Sequence, residues 1–198
     1  MALNFALLVI DVQKDFCEGG VLSARNTTSL IQPLNETISW TVIHKTLCVF
    51  TRDWHPLDHC SFVTEGGLWP VHCVQDSAGA EFAGGLTMPD SNLVLNMRKD
   101  INKDEISYSA FGSTTLEQDL KARNIDTLGI SGIATEYCVR ETVLDALKYN
   151  FKVLILTDLI RPIEVNPGDS GRALVDMTAA GATLISSIEW RNKLKLLF

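Results

Sequence analysis

Short, wholly apolar runs alternate along the chain with segments whose apolar residues recur at helical spacing. "FALLVIDV" (5–12), "TLCVFTRD" (46–53), "NLVLNMRK" (92–99), "IDTLGISGI" (125–133), "FKVLILTD" (151–158) and "ATLISS" (182–187) predict strands. "TSLIQPLNETISWTVI" (28–43), "STTLEQDLKARN" (113–124), "EYCVRETVLDALKYN" (136–150) and "SGRALVDMTAAG" (170–181) predict helices. Pro33 must sit near the start of the first helix or bend it, because proline lacks the N–H and crowds the preceding turn. Ser113 is placed to cap the second. Strands that are apolar on both faces and alternate with helices make a parallel sheet covered on both sides. The expected fold is α/β: a doubly wound, mostly parallel central sheet flanked by helices, Rossmann-like, in a single domain spanning 1–198.

Ligands of such sheets gather at the carboxyl ends of the strands. Asp11 ends the first run, Asp53 and His55 follow the second, Lys99 ends the third, and Cys138 follows the fourth. A sheet needs none of these residues for its stability. Cys138 lies in the first turns of a helix, and Lys99 could supply a nearby cation, although "MRKDINKDE" also offers Arg98 and Lys103 and reads equally as a solvated charge run. Both features predict a depressed thiol pKa and a nucleophile. Asp11 is the natural proton acceptor. Cys17, Cys48, Cys60 and Cys73 are read as small buried hydrophobes.

The stretch from Trp54 to Ser91 is far longer than an ordinary connection, and it holds three of the chain's four histidines. An ordered, functional loop is expected. Asp53 and His55, two apart in extended backbone, point the same way. With His59 and His72 they offer carboxylate and imidazole donors that suit zinc, iron or manganese. His44 is read as structural.

Hydrophobic residues make up 46% and charged residues 21%, an ordinary globular balance. A net charge of −7 without a basic stripe argues against nucleic acid and anionic membranes as partners. No apolar run is long enough to span a bilayer, and the apolar start reads as a buried strand rather than a signal peptide. Five cysteines without a CxxC pair suit a reducing, cytoplasmic compartment.

Asp11 in "VIDVQKDF", Lys99 upstream of "SYSAF" and Cys138 in "GIATEYCV" resemble the Asp-Lys-Cys set of the isochorismatase-like cysteine hydrolases. With "DWHPLDHCSF" and "WPVHC", the pattern is similar to the nicotinamidase branch of that superfamily, over roughly residues 7–186. The resemblance implies an isochorismatase-like fold and hydrolysis of nicotinamide to nicotinate and ammonia through a cysteine thioester, in NAD salvage. It implies Asp11 as base, Lys99 holding the charged pair, and an oxyanion bound by the N–H groups of Ala134 and Cys138, with a cis Ile133–Ala134 peptide. It implies one divalent metal ion, zinc first with iron or manganese as alternatives, held by Asp53, His55 and His72 to orient the pyridine nitrogen. Whether His59 or Glu65 also ligates stays open. Phe16, Trp69 and Tyr137 would sandwich the ring, core packing being the other reading of Tyr137. The partner is a small-molecule substrate, and a homo-oligomer is open. The competing readings are another small amide or carbamoyl hydrolase of the superfamily, a metal-hydroxide amidohydrolase in which Cys138 is incidental, and a non-enzymatic zinc module using Cys60 or Cys73.

Overall fold

The first apolar run forms β1 (Phe5–Ile10), buried at every position. In the computed structural model, which describes residues 4–196, β1 lies inside a six-stranded sheet. Side chains alternate along a strand. Phe5, Leu7 and Val9 therefore enter one apolar cluster, and Ala6, Leu8 and Ile10 the other. The neighbours of β1 are β2 (Leu47–Asp53) and β4 (Thr127–Ile133). β3 (Val94–Lys99) pairs outside β2. β5 (Lys152–Arg161) and β6 (Thr183–Ile185) continue beyond β4. The order is β3-β2-β1-β4-β5-β6, and every pairing is parallel.

α1 (Thr28–Ile43) and α5 (Ser187–Lys195) cover one face, with Leu30, Leu34, Ile38 and Trp190 packed on the Phe5 side. α2 (Leu116–Ala122), α3 (Arg140–Lys148) and α4 (Asp169–Ala179) cover the other through Leu120, Val143, Ala146 and Met177. The sheet is therefore doubly wound, and the winding reverses between β1 and β4. Gly132 makes that junction possible. Its φ is +116°, and a Cβ there would stand 2.0 Å from the Ile10 carbonyl oxygen. Glycine alone meets both conditions.

α1 has the bounds the pattern gives, with Pro33 in its second turn, but other boundaries differ from the sequence pattern. Ser113 does not cap α2, which starts at Leu116; its hydroxyl instead accepts the Asp100 N–H at 3.1 Å. Ahead of α3, Thr135–Val139 forms one π-helical turn, in which the Ala134 carbonyl accepts the N–H groups of Tyr137 and Val139. α5 was not expected. It begins with a capping box between Ser186 and Glu189. The 54–91 stretch is ordered by bridges between His55 and Val74, Phe62 and Trp69, and Gln13 and Phe82. No described helix is long and apolar enough to cross a membrane.

Candidate active site

Parallel register brings the strand ends to one edge. Asp53 pairs with Lys99 across β2 and β3, and Ile10 pairs with Gly132 across β1 and β4. Asp11, the first residue beyond β1, donates its N–H to the Thr51 carbonyl at 3.2 Å. Thr51 Oγ1 donates in turn to Asp11 Oδ1 at 2.7 Å. Lys99 is 1% exposed. Its Nζ lies 3.2 Å from Asp11 Oδ2 and 3.6 Å from Cys138 Sγ, and it is bonded to Asp53 Oδ1. Asp11, Asp53 and Cys138 present donor atoms within 4.8 Å of one another. Asp11, Lys99 and Cys138, separate in sequence, thus meet in one buried cluster.

Burial and charge set the protonation of this cluster. Burial alone would depress the Lys99 ammonium, but the Asp11 and Asp53 carboxylates outweigh it and hold Lys99 well above its ordinary value. Burial raises Asp11, and Lys99 offsets only part of that rise. The depressed thiol expected from the helix start does not occur. Burial pushes Cys138 well above the ordinary thiol value, and Asp11 and Asp53 add to the rise against the pull of Lys99. The cluster thus sets a thiol held toward its neutral form beside an Asp11 carboxyl of raised basicity and a fixed Lys99 cation.

Asp53, His55 and His72 form a second group, with ligand atoms within 4.8 Å of one another. His72 Nδ1 lies 2.8 Å from the Pro70 carbonyl, which can only accept. Nδ1 therefore carries the proton, and the Nε2 lone pair is presented toward Asp53 Oδ2, 4.0 Å away. Burial pushes His72 below its ordinary value, which favours this neutral form. His55 Nε2 is 3.5 Å from the same oxygen, and His55 Nδ1 is buried without a hydrogen-bond partner. Burial would raise Asp53, but Lys99 and the histidines outweigh it and keep the carboxyl well below the usual range. One ionised carboxylate and two imidazoles fit a divalent metal ion and leave it open positions. His59 stands apart from this set. Its Nε2 donates to the Glu105 carbonyl at 2.7 Å, and its Nδ1 accepts from Ser61 Oγ at 2.7 Å. Glu65 is exposed and lies outside the group.

A cleft lies over both groups. Its lining includes Phe16, Trp69, Tyr108, Tyr137 and Ile163 as well as Cys138. Trp69 meets Tyr137 edge to face at 5.0 Å and donates its indole N–H to the Tyr108 hydroxyl at 2.9 Å. Ala134 also lines the cleft, after a cis Ile133–Ala134 peptide. The sequence reading missed Thr51, Tyr108, Gln13 and Asp15. The Gln13 amide donates to the carbonyls of Asp53 (2.8 Å) and Ala80 (3.1 Å) and accepts the Asp53 N–H (2.8 Å). Asp15 accepts the Cys73 N–H at 2.7 Å, next to His72. Only the polar positions in "VIDVQKDF" hinted at Gln13 and Asp15.

The isochorismatase domain, as a family pattern, matches residues 5–189. The chain belongs to the isochorismatase family. Among members of that family it is similar to the nicotinamidase of Escherichia coli (strain K12), at 36% identity over 208 residues, covering 94% of this chain and 97% of the relative. The crystal structure of the pyrazinamidase of Pyrococcus horikoshii in complex with zinc superposes with a TM-score of 0.87 at 40% identity, over 92% of this chain and 99% of that one. The structure of PnC1 from L. infantum in complex with nicotinate gives a TM-score of 0.81 at 32% identity, over 94% of each chain. The all-parallel sheet flanked by five helices is the isochorismatase-like fold of these neighbours.

Proposed function

We propose that the protein is a nicotinamidase, hydrolysing nicotinamide to nicotinate and ammonia through a thioester on Cys138, a salvage step toward NAD. One observation carries this reading: Cys138, which Asp11 and Lys99 back from beneath, and the Asp53–His55–His72 set line the same aromatic-walled cleft. Its similarity to proteins that bear the name nicotinamidase, and to a neighbour holding nicotinate, supports the substrate. The free state of all five cysteines supports a reducing, cytoplasmic setting.

Asp11 takes the proton of the Cys138 thiol, and the Lys99 ammonium beside both groups stabilises the charge as it moves. The sulfur attacks the carboxamide carbon. The oxyanion so formed is held by the N–H groups of Ala134 and Cys138. The C–N bond breaks as Asp11 returns the proton to the leaving ammonia. Asp11 then deprotonates a water, which attacks the thioester, releases nicotinate and restores the thiol. Phe16, Trp69 and Tyr137 confine the ring and exclude bulk water. Asp53, His55 and His72 would hold one divalent ion, with zinc the first choice, and such an ion would supply a Lewis-acid anchor for the ring nitrogen.

The test is ammonia release from nicotinamide by parent and Cys138→Ala protein, with and without a chelator. Cys138→Ala is expected to lose at least about a thousandfold in rate while keeping its metal content. Substantial release by that variant would sink the cysteine mechanism.

A further inference from the structure

The π-helical turn that carries Cys138 also carries Glu136, whose carboxylate faces away from the proton-transfer cluster and onto another chain segment. Glu136 Oε1 accepts the N–H of Ile163 at 3.0 Å and that of Glu164 at 2.6 Å. Glu164 has φ +61°, and successive N–H groups around a left-handed residue form a concavity suited to an anionic oxygen. The far end of the segment is pinned by the Glu164 carboxylate, which accepts the Gly168 N–H and the Ser170 hydroxyl, each at 2.5 Å. Between these anchors Ile163 forms part of the cleft wall beside Ala134, Tyr137 and Cys138.

We propose that Glu136 is a positioning residue: its carboxylate latches the segment between β5 and α4 to the nucleophile turn and so holds Ile163 in the wall that confines the substrate ring. Asp11 and Lys99 reach the sulfur through other elements. Loss of the latch therefore loosens ring binding and leaves proton transfer in place. The latch rests on the nicotinamidase reading only for the choice of assay substrate.

The experiment compares Glu136→Ala, Glu136→Gln and Ile163→Ala in nicotinamide kinetics, amide hydrogen exchange at 163 and 164, and iodoacetamide labelling of Cys138. Glu136→Ala should raise KM about tenfold with kcat within about threefold of parent. Its amides at 163 and 164 should exchange at least about tenfold faster. Glu136→Gln keeps an oxygen that accepts both N–H groups, so KM and exchange should stay within about twofold of parent. Ile163→Ala should raise KM about tenfold by removing apolar contact from the pocket, with exchange at 164 unchanged. Unchanged exchange in Glu136→Ala overturns the latch. So does a Glu136→Gln variant as impaired as Glu136→Ala, or a loss confined to kcat. Should Glu136→Ala fail to fold, an unchanged KM in Ile163→Ala or exchange at least about tenfold faster in Glu136→Gln overturns it. A parent that releases no ammonia overturns the nicotinamidase reading instead, and exchange at 163 and 164 then decides the latch, with Cys138 labelling in Glu136→Ala expected within about threefold of parent and a larger change overturning the separation of latch and thiol.

Discussion

Asp53 and Lys99, register partners at the ends of β2 and β3, form a buried ion pair that joins the candidate metal donors His55 and His72 to the Asp11–Cys138 cluster. Asp53 Oδ1 is bonded to the Lys99 ammonium, and Oδ2 lies within 4.0 Å of both His55 Nε2 and His72 Nε2. The two halves of the site therefore share one carboxylate. Asp53→Asn and His72→Ala should each weaken metal binding at least about tenfold, but only the former should alter the thiol. Asp53 helps hold the Cys138 pKa up, so removing its charge should move the alkylation profile of chelator-treated protein to lower pH. His72→Ala should leave that profile in place. Iodoacetamide rates measured against pH decide the matter: coincident profiles would mean that the halves are uncoupled.

Asp11 must be ionised to accept the thiol proton. Burial raises its pKa despite the neighbouring Lys99. kcat/KM should therefore fall, on acidification, at a higher pH than an ordinary carboxylate would give. Asp11→Asn should lower the rate by about 10²–10⁴ and abolish that acidic limb. A pH–rate profile of both proteins, corrected for metal content, makes the comparison.

Asp100 bears on stability. Burial raises its carboxyl to about 6, against the pull of Lys99. The native state then binds this proton more tightly than the unfolded chain, where Asp titrates near about 3.9. The resulting destabilisation is absent below about pH 4 and complete above about pH 6. Asp100→Asn keeps an acceptor for the Ser107 N–H, 2.8 Å away, and suits the φ of +54°. Urea unfolding of the two proteins should coincide near pH 4. Near pH 7 the variant should be the more stable, by at most about 3 kcal/mol. A gap of equal size at both pH values would refute the assignment.

Gly132→Ala places a methyl 2.0 Å from the Ile10 carbonyl oxygen at a φ of +116°. Backbone stands on both sides of the contact, so neither partner can yield cheaply. A loss of more than about 4 kcal/mol is expected. Gly84→Ala, with nothing within 4 Å of the added carbon, is the control and should melt like the parent. Thermal unfolding of both variants tests this.

Lys99 ends the half-exposed β3 beside Arg98 and was singled out only by its distance from "YSAF", whereas the ends of β1 and β2 were legible because buried parallel strands are apolar on both faces, so Asp11 and Asp53 stand out where the runs stop. The placement of Cys138 was legible for the same reason. Its protonation was not, because burial and the two carboxylates act on it only after distant segments meet. α5 escaped notice although its capping box is local, since Ser186 and Ser187 read as the tail of a strand. Gln13, Thr51 and Glu136 left no periodic trace. Each is fixed by groups far away in sequence, mostly main-chain, and no pattern in one segment encodes such partners.

Asp11, Asp53, the two histidines and Lys99 all precede residue 100, whereas Cys138 follows it. The Cys138 sulfur and the Asp11 carboxyl are thus brought together across the seam between β1 and β4, paired from Phe5 with Thr127 to Ile10 with Gly132. A slip of β4 along β1 would carry the sulfur away from Asp11 while leaving the metal donors undisturbed. The placement of the sulfur relative to Asp11 therefore depends on this one strand pair, and the tight seating of Gly132 on Ile10 is the stop that sets its register.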